Sequence, residues 1–271
     1  MSQGRQLKMV TVVVLLALAS ITGQARAAQC GSTSAGFEAW KRQFADEART
    51  RGIGPTAIAA LMSTTYSTMA IAADRGQRSF GLSLEQFLAK RGGSAIIARG
   101  RVLKQSQAAL FASIERRYGV PPGPLLAIWG METAFGSQRG NQRALSAVAT
   151  LAYDCRRTAF FTDQLHAALT LVDQGRLSPD ARGSMAGEIG QTQFMPKTIL
   201  QYGTGNLDVA ANALASTANF LQSHGWRAGG GYQPGEVNFG AIQAWNAASV
   251  YERAIAYIGQ QIDGGSTSAK R

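Results

Sequence analysis

Histidine and cysteine are scarce in this chain, two of each among 271 residues, and their scarcity removes whole classes of chemistry. His166 and His224 cannot build a site that asks for about four nitrogen or sulfur ligands, so no metal and no cofactor is expected. A single histidine in a helical stretch such as that around His166 is expected to be solvated or capped. Long apolar runs are missing too: the stretch Met9–Ile21 has 13 residues, short of the roughly 20 that span a membrane. There is no helix-turn-helix, no zinc-ligand spacing, no aromatic RNA-binding motif and no internal repeat. Nucleic acid is therefore a poor partner for the excess of 27 Lys and Arg over 16 Asp and Glu. The glycine-rich Gly229–Gly235 must be a loop, but no P-loop context surrounds it.

What the N-terminus does have is Arg5 and Lys8, then the short apolar run, then Ala25-Arg26-Ala27. This is the pattern of a cleaved signal peptide over 1–27. Ala27-Ala28-Gln29 before Cys30 does not fit a lipobox, so a soluble, exported, non-lipidated protein is expected. Removing Arg5, Lys8 and Arg26 takes the formal charge from +11 to 11 − 3 = +8, which suits an anionic polymer. Export also gives the cysteines a meaning. Cys30 and Cys155 are the one available pair, and an oxidising compartment favours joining them; two free thiols are the alternative.

The remaining sequence is helical in pattern. Phe37, Trp40, Phe44 and Ala48 step along one helix face, Pro55 opens a helix with Ile58, Leu61 and Met62, and Leu82–Ala89 reads as another. Arg91–Ser94 reads as a loop, and Lys104–Tyr118 as a helix with Leu110, Phe111 and Ile114 inward and Gly119 as its cap. At helical spacing these aromatics are core rather than sugar platforms. Ala144–Ala152, Thr158–Gln174 and Val250–Ile262 continue the pattern, and 263–271 reads as a disordered tail.

Leu125–Gly136, LLAIWGMETAFG, is the stretch with chemistry in it. Pro121, Pro122 and Pro124 can open a helix that Gly136 stops. Leu125, Ile128, Trp129 and Glu132 then share one face, with the acid at the end of the apolar stripe. Burial and the negative end of the helix dipole both disfavour the carboxylate and raise its pKa. A carboxylic acid that is neutral near pH 7 can protonate a leaving oxygen. The alternative is an ion pair with Arg139 or Arg143.

Glu132-Thr133-Ala134-Phe135-Gly136 resembles the E-T-x-x-G signature of lytic murein transglycosylases. Gly183–Pro196, GSMAGEIGQTQFMP, resembles the corresponding block of the family of membrane-bound lytic transglycosylase B. Ala218-Asn219-Phe220-Leu221, His224-Gly225-Trp226 and Trp245-Asn246 follow in the family's order, so the resemblance covers roughly Tyr118 to Ile262. It implies a mainly α-helical protein with a lysozyme-like catalytic core over 119–262 and an N-terminal helical extension over 28–118. It implies Glu132 as the catalytic residue, Ser184 hydrogen-bonded to it, and Gln193, Phe220, Trp245, Asn246 and Tyr251 in the substrate cleft. The implied partner is the peptidoglycan glycan strand, and the implied compartment is the periplasm.

Two departures stand out. Many members carry a calcium loop where this chain has Tyr202–Asp208 with one carboxylate, far below the six to eight oxygens calcium takes. Phe220 replaces the usual tyrosine and lacks its hydroxyl. A glycoside hydrolase ordinarily needs two carboxyl groups, and here only Glu132 has a credible setting. The family's solution is for Glu132 to serve first as acid and then as base, while the C6 hydroxyl of MurNAc closes a 1,6-anhydro ring. Two rivals remain open: a muramidase using Asp154, Asp163 or Glu188 as a second acid, and a catalytically silent peptidoglycan-binding protein. Glu188 is given no role by the resemblance, because the family tolerates apolar residues there.

Overall fold

A computed structural model describes residues 28–76 and 81–264. The expected signal peptide at 1–27 and the tail from 265 lie outside the described residues. The described residues form thirteen α-helices, one 3-10 turn and a two-stranded antiparallel sheet, so the fold is mainly α as expected. None of these helices is long and apolar enough to cross a membrane.

The first helices are α1 (Phe37–Thr50), α2 (Pro55–Met62), α3 (Thr68–Arg75), α4 (Leu84–Arg91), α5 (Gly93–Ser106) and α6 (Ala108–Tyr118). Phe37, Trp40, Phe44 and Phe111 are all buried, which makes these aromatics core. The loop expected at Arg91–Ser94 is absent. A capping box at Ser83 and Gln86 opens α4, Gly92 closes it in the left-handed conformation at φ 69°, and α5 begins at once. The single helix expected over Lys104–Tyr118 is broken at Gln107, which ends α5 and opens α6.

The centre of the molecule is α7 (Pro122–Thr133). Pro122 sits in its first turn, and every residue from Gly123 to Met131 is buried. A helix apolar all round belongs in a core rather than on a surface, so the single stripe expected here understates its burial. Helix α13 (Ser249–Asp263) crosses α7 at Gly123 and Gly259, where a Cβ on Gly123 would run into the Gly259 carbonyl. That crossing brings Tyr251 of α13 to the other end of α7. Asp263, expected in a disordered tail, instead ends α13 and accepts a hydrogen bond from the Gly123 N–H at 2.9 Å. A carboxylate at that N-terminus is favoured by the unpaired amides and the helix dipole.

Helices α8 (Ala144–Tyr153), α9 (Thr158–Asp173), α10 (Pro196–Tyr202), α11 (Ala210–Ser223) and α12 (Phe239–Trp245) complete the fold. A short antiparallel pairing of β1 (Gln142–Arg143) with β2 (Arg182–Gly183), strands separated in the chain by α8 and α9, was not foreseen. One apolar core runs from Phe37 to Ile262, and α5 packs on both α7 and α13. The N-terminal extension therefore shares the core of the C-terminal helices.

Cys30 and Cys155 are joined, with Cα atoms 5.0 Å apart. Next to the bridge, the Gly31 N–H donates to the Tyr153 carbonyl at 2.9 Å. The sulfurs close a chain separation of 125 residues, for which loop entropy predicts about 4 kcal/mol of stabilisation, less any offset in the folded state. Cys30→Ser is expected to lower the thermal midpoint by several degrees. A reducing agent should do the same to the wild type and nothing to the variant. An unchanged midpoint in both cases would contradict the bridge.

Candidate active site

Glu132 lies in the last turn of α7, on the floor of a cleft of about 190 Å³ that is also lined by Glu188, Gln193, Phe194, Met195, Thr198, Phe220, Ala244, Trp245 and Asn246. Four larger hollows, of about 280 to 440 Å³, hold at most one carboxyl group each. Neither Arg139 nor Arg143 reaches Glu132: Arg139 pairs with Asp208 at 3.0 Å and Arg143 with Asp180 at 2.7 Å. Among the described residues no ion pair involves Glu132, which disposes of the structural alternative raised by the sequence.

The partners of Glu132 are neutral donors. The Tyr251 hydroxyl donates to its Oε1 at 2.6 Å, and the Trp245 indole N–H donates to the same oxygen at 3.3 Å. Both bonds fall on Oε1, and among the described residues none falls on Oε2. Burial raises the carboxyl pKa from its ordinary 4.5 to about 7, and the nearby Glu188 adds to the rise. The Tyr251 and Trp245 bonds and the Arg91 charge oppose it. Burial also pushes the Tyr251 phenol well up, assisted by the Glu132 charge, so Tyr251 stays a donor. Arg91, at the end of α4, stands 5.8 Å from the Tyr251 ring centre.

The turn after Glu132 is strained. Ala134 and Phe135 have φ of 47° and 58°, Gly136 has 88°, and across the cleft Gln193 has 55°. Ala134, Phe135 and Gln193 are the non-glycine residues with positive φ among those described; the first two follow Glu132 closely in the chain, and Gln193 lines the cleft. Such strain persists only where surrounding contacts over-determine it. Those contacts are visible: the Thr133 hydroxyl donates to the Gln191 carbonyl at 2.6 Å and accepts from the Gly136 N–H at 2.9 Å. The Trp129 indole donates to Gln191 Oε1 at 2.8 Å. A side chain at Gly136 would collide with the Gln191 amide.

The structure gathers the expected residues but changes several roles. Ser184 does not bond Glu132; its hydroxyl donates to Glu188 Oε2 at 2.8 Å, because Ser184–Glu188 folds back on itself. Gln193 does line the cleft, with its amide donating to the Gly190 carbonyl at 2.8 Å. Phe220 is buried beneath it, stacked on His224 at 4.0 Å and edge-on to Trp245 at 5.2 Å. It is thus a support for Trp245 rather than an open face. Asn246 lines the cleft while its Oδ1 accepts from the Ala248 N–H at 3.0 Å. Tyr251 is buried behind Glu132 and acts on the acid.

Of the rival second acids, Asp154 is taken by Arg75 at 3.1 Å and Asp163 by Lys197 at 2.8 Å, and neither lines the cleft. Glu188 alone does. His166 stacks on Phe44 at 4.7 Å and is partly buried rather than solvated, so burial lowers its pKa. No group of three or more metal-ligating side chains occurs among the described residues.

The raised Glu132 pKa has a consequence for stability. The unfolded chain ionises this carboxyl from about 4.5 and the folded one only from about 7, so stability falls as pH rises through that window. Glu132→Gln keeps an acceptor for Tyr251 and removes the ionisation. It is expected to be more stable than wild type at pH 8, by on the order of 1–3 kcal/mol, with the gap closing towards pH 4. Thermal unfolding at both pH values tests this; a gap of the same size at both would contradict it.

A family model described as "Transglycosylase SLT domain" matches residues 36–236. Membrane-bound lytic murein transglycosylase B of Escherichia coli is 36% identical over 118 residues, a match covering 40% of this chain and 33% of that protein. The chain thus spans about a third of that curated relative. The crystal structure of SltB3 from Pseudomonas aeruginosa in complex with NAG-anhNAM-pentapeptide superposes with a TM-score of 0.78 at 27% identity, over 84% of this chain and 80% of that one. The lytic transglycosylase Slt35 of E. coli, in complex with calcium, shares the fold with a TM-score of 0.73 at 22% identity, over 87% of this chain and 96% of that one. With the family match running through the Glu132 helix and the Gly183–Pro196 block, the chain belongs to the transglycosylase SLT domain family, with lytic murein transglycosylase B among its relatives.

Proposed function

We propose that this protein is a peptidoglycan lytic transglycosylase of the periplasm in which Glu132 acts first as acid and then as base. The observation that carries the reading is a desolvated carboxyl group on a cleft floor, held by two neutral donors and without an ion-pair partner among the described residues. In this reading 119–262 is the catalytic core and 28–118 a buttress packed on it. SltB3, which binds NAG-anhNAM-pentapeptide and NAG-NAM-pentapeptide, supports the same class of ligand here.

Glu132 Oε2 donates its proton to the GlcNAc oxygen leaving C1 of MurNAc, and the glycosidic bond breaks through an oxocarbenium-like state. Tyr251 and Trp245, both donating to Oε1, hold the carboxyl in place and stabilise the carboxylate that forms. That carboxylate takes the proton of the C6 hydroxyl of the same MurNAc, whose oxygen closes onto C1. The product is a 1,6-anhydro ring, and Glu132 regains its proton. An intramolecular hydroxyl has a high effective molarity, so no activated water is needed. Gln193 and Asn246 offer amides to the sugars, and Trp245, supported by Phe220, offers a ring.

The presence of Glu188 in the cleft keeps one other reading in view, a muramidase with Glu188 activating water. Digestion of purified peptidoglycan separates the two. Products ending in 1,6-anhydroMurNAc, each one water lighter than a hydrolysis product, are expected, whereas reducing-end MurNAc would select the muramidase. Release of nothing would select a binding protein. Glu132→Gln is expected to lose at least about 10²–10⁴-fold in rate. Activity of the wild type should fall as pH rises past about 7, where Glu132 loses its proton.

Calcium is not expected to matter. Asp208 is the one carboxylate of Tyr202–Asp208, and it is engaged by Arg139. Neither calcium nor a chelator should move the melting temperature or the rate; a rise with calcium that chelation reverses would contradict this.

A further inference from the structure

Glu188 sits in the same cleft as Glu132 without a cation to pair with. Among the described residues no Lys, Arg or His lines that cleft and no ion pair involves Glu188. Its one side-chain hydrogen-bond partner among them is Ser184, and the geometry of that bond bears on its charge. Ser184 Oγ accepts the Ala186 N–H and the Glu188 N–H, both at 3.1 Å. A hydroxyl has two lone pairs and one proton. With both lone pairs taken, the proton is committed to Glu188 Oε2, 2.8 Å away. The loop is closed further by the Ser184 N–H donating to the Glu188 carbonyl at 2.9 Å. Glu188 Oε2 is therefore held as an acceptor, and a donor committed to it favours the ionised form of the carboxyl.

We propose that Glu188 is a positioning residue of the reaction: its fixed negative charge keeps the proton on Glu132 and so sets the pH range over which Glu132 works as an acid. Like charges in one site disfavour double ionisation, so with Glu188 ionised Glu132 stays protonated to a higher pH. Both carboxyls accept hydrogen bonds from neutral donors, and Glu132 is raised to about 7 by burial and by Glu188. Burial raises Glu188 as well, and the Ser184 bond opposes that rise. The other groups facing the pair are Tyr251 from α13 and Trp245 from α12, both neutral donors, and Arg91 from α4, which lowers the Glu132 pKa. The same repulsion makes the Glu132 carboxylate a stronger base once it has given up its proton, which assists the second half of the cycle. This inference rests on Glu132 being the acid, as proposed above.

The test is the pH dependence of kcat/KM for wild type, Glu188→Gln, Glu188→Ala and Glu188→Asp on purified peptidoglycan, with circular dichroism to verify folding. Glu188→Gln keeps the acceptor for Ser184 and removes the charge. Its alkaline limb is expected to move to lower pH by at least about half a unit, a threefold loss of rate above that limb, with the rate on the acid side largely kept. Glu188→Ala should move the limb the same way, which guards against misfolding of a single variant. Glu188→Asp should restore it towards the wild-type position. A limb that superimposes on wild type in both uncharged variants overturns the proposal, as does an equal loss at every pH. Retained activity in Glu132→Gln, or reducing-end products, would instead overturn the reading on which the proposal rests.

Discussion

Glu132 is a desolvated carboxyl group at the end of a buried helix with no ion-pair partner among the described residues, and the rest of the molecule is arranged to maintain that condition. Taking a carboxylate out of water without a cation is costly enough that the group keeps its proton instead. This requires a helix buried on every side, which α7 supplies. It also requires basic residues nearby to be engaged elsewhere: Arg139 by Asp208, Arg143 by Asp180. The cost to stability is accepted at a position where function needs an acid, as at other sites whose pKa values are displaced.

The hydrogen bonds around the acid divide into two systems. Tyr251 and Trp245 hold Glu132 from α13 and the end of α12, while Ser184 and its backbone donors hold Glu188 from the loop after β2. The first system depends on the close approach of Gly123 and Gly259, which fixes where α13 crosses α7. The second depends on the positive-φ turns around Gly187, Gly190 and Gln193. A displacement of either element would alter the separation of the two carboxyl groups, and the acid strength of the site would change with it.

Much of this was legible in the sequence because it rests on local chemistry. Three prolines and a glycine bracket α7, the acid ends an apolar run, and the Gly183–Pro196 block carries an ordered resemblance that a plain loop-and-cap reading does not explain. What was not legible depends on tertiary contacts. Helix α5 was missed because Gly92-Gly93-Ser94 reads as a loop, whereas the left-handed Gly92 turns the chain in one residue and Gly93 and Ser94 open the next helix. Helix α3 is short, and its cap, Ser67, carries no distinctive pattern. Ser184 was expected on Glu132 by resemblance, but the nearer acid in the chain, Glu188, captures its hydroxyl. The placing of Tyr251 behind the acid instead of along the sugar path follows from a helix crossing that no sequence window contains.

The central claim is that Glu132 is a neutral acid near pH 7, and a direct titration tests it most plainly. Carboxyl resonances of ¹³C-glutamate-labelled protein, assigned to Glu132 by their loss in Glu132→Gln, should show this group keeping its proton well above pH 5 and titrating near 7. Ionisation of Glu132 complete by pH 5 would contradict the account, because a carboxylate already formed at that pH could not protonate a leaving oxygen at neutrality.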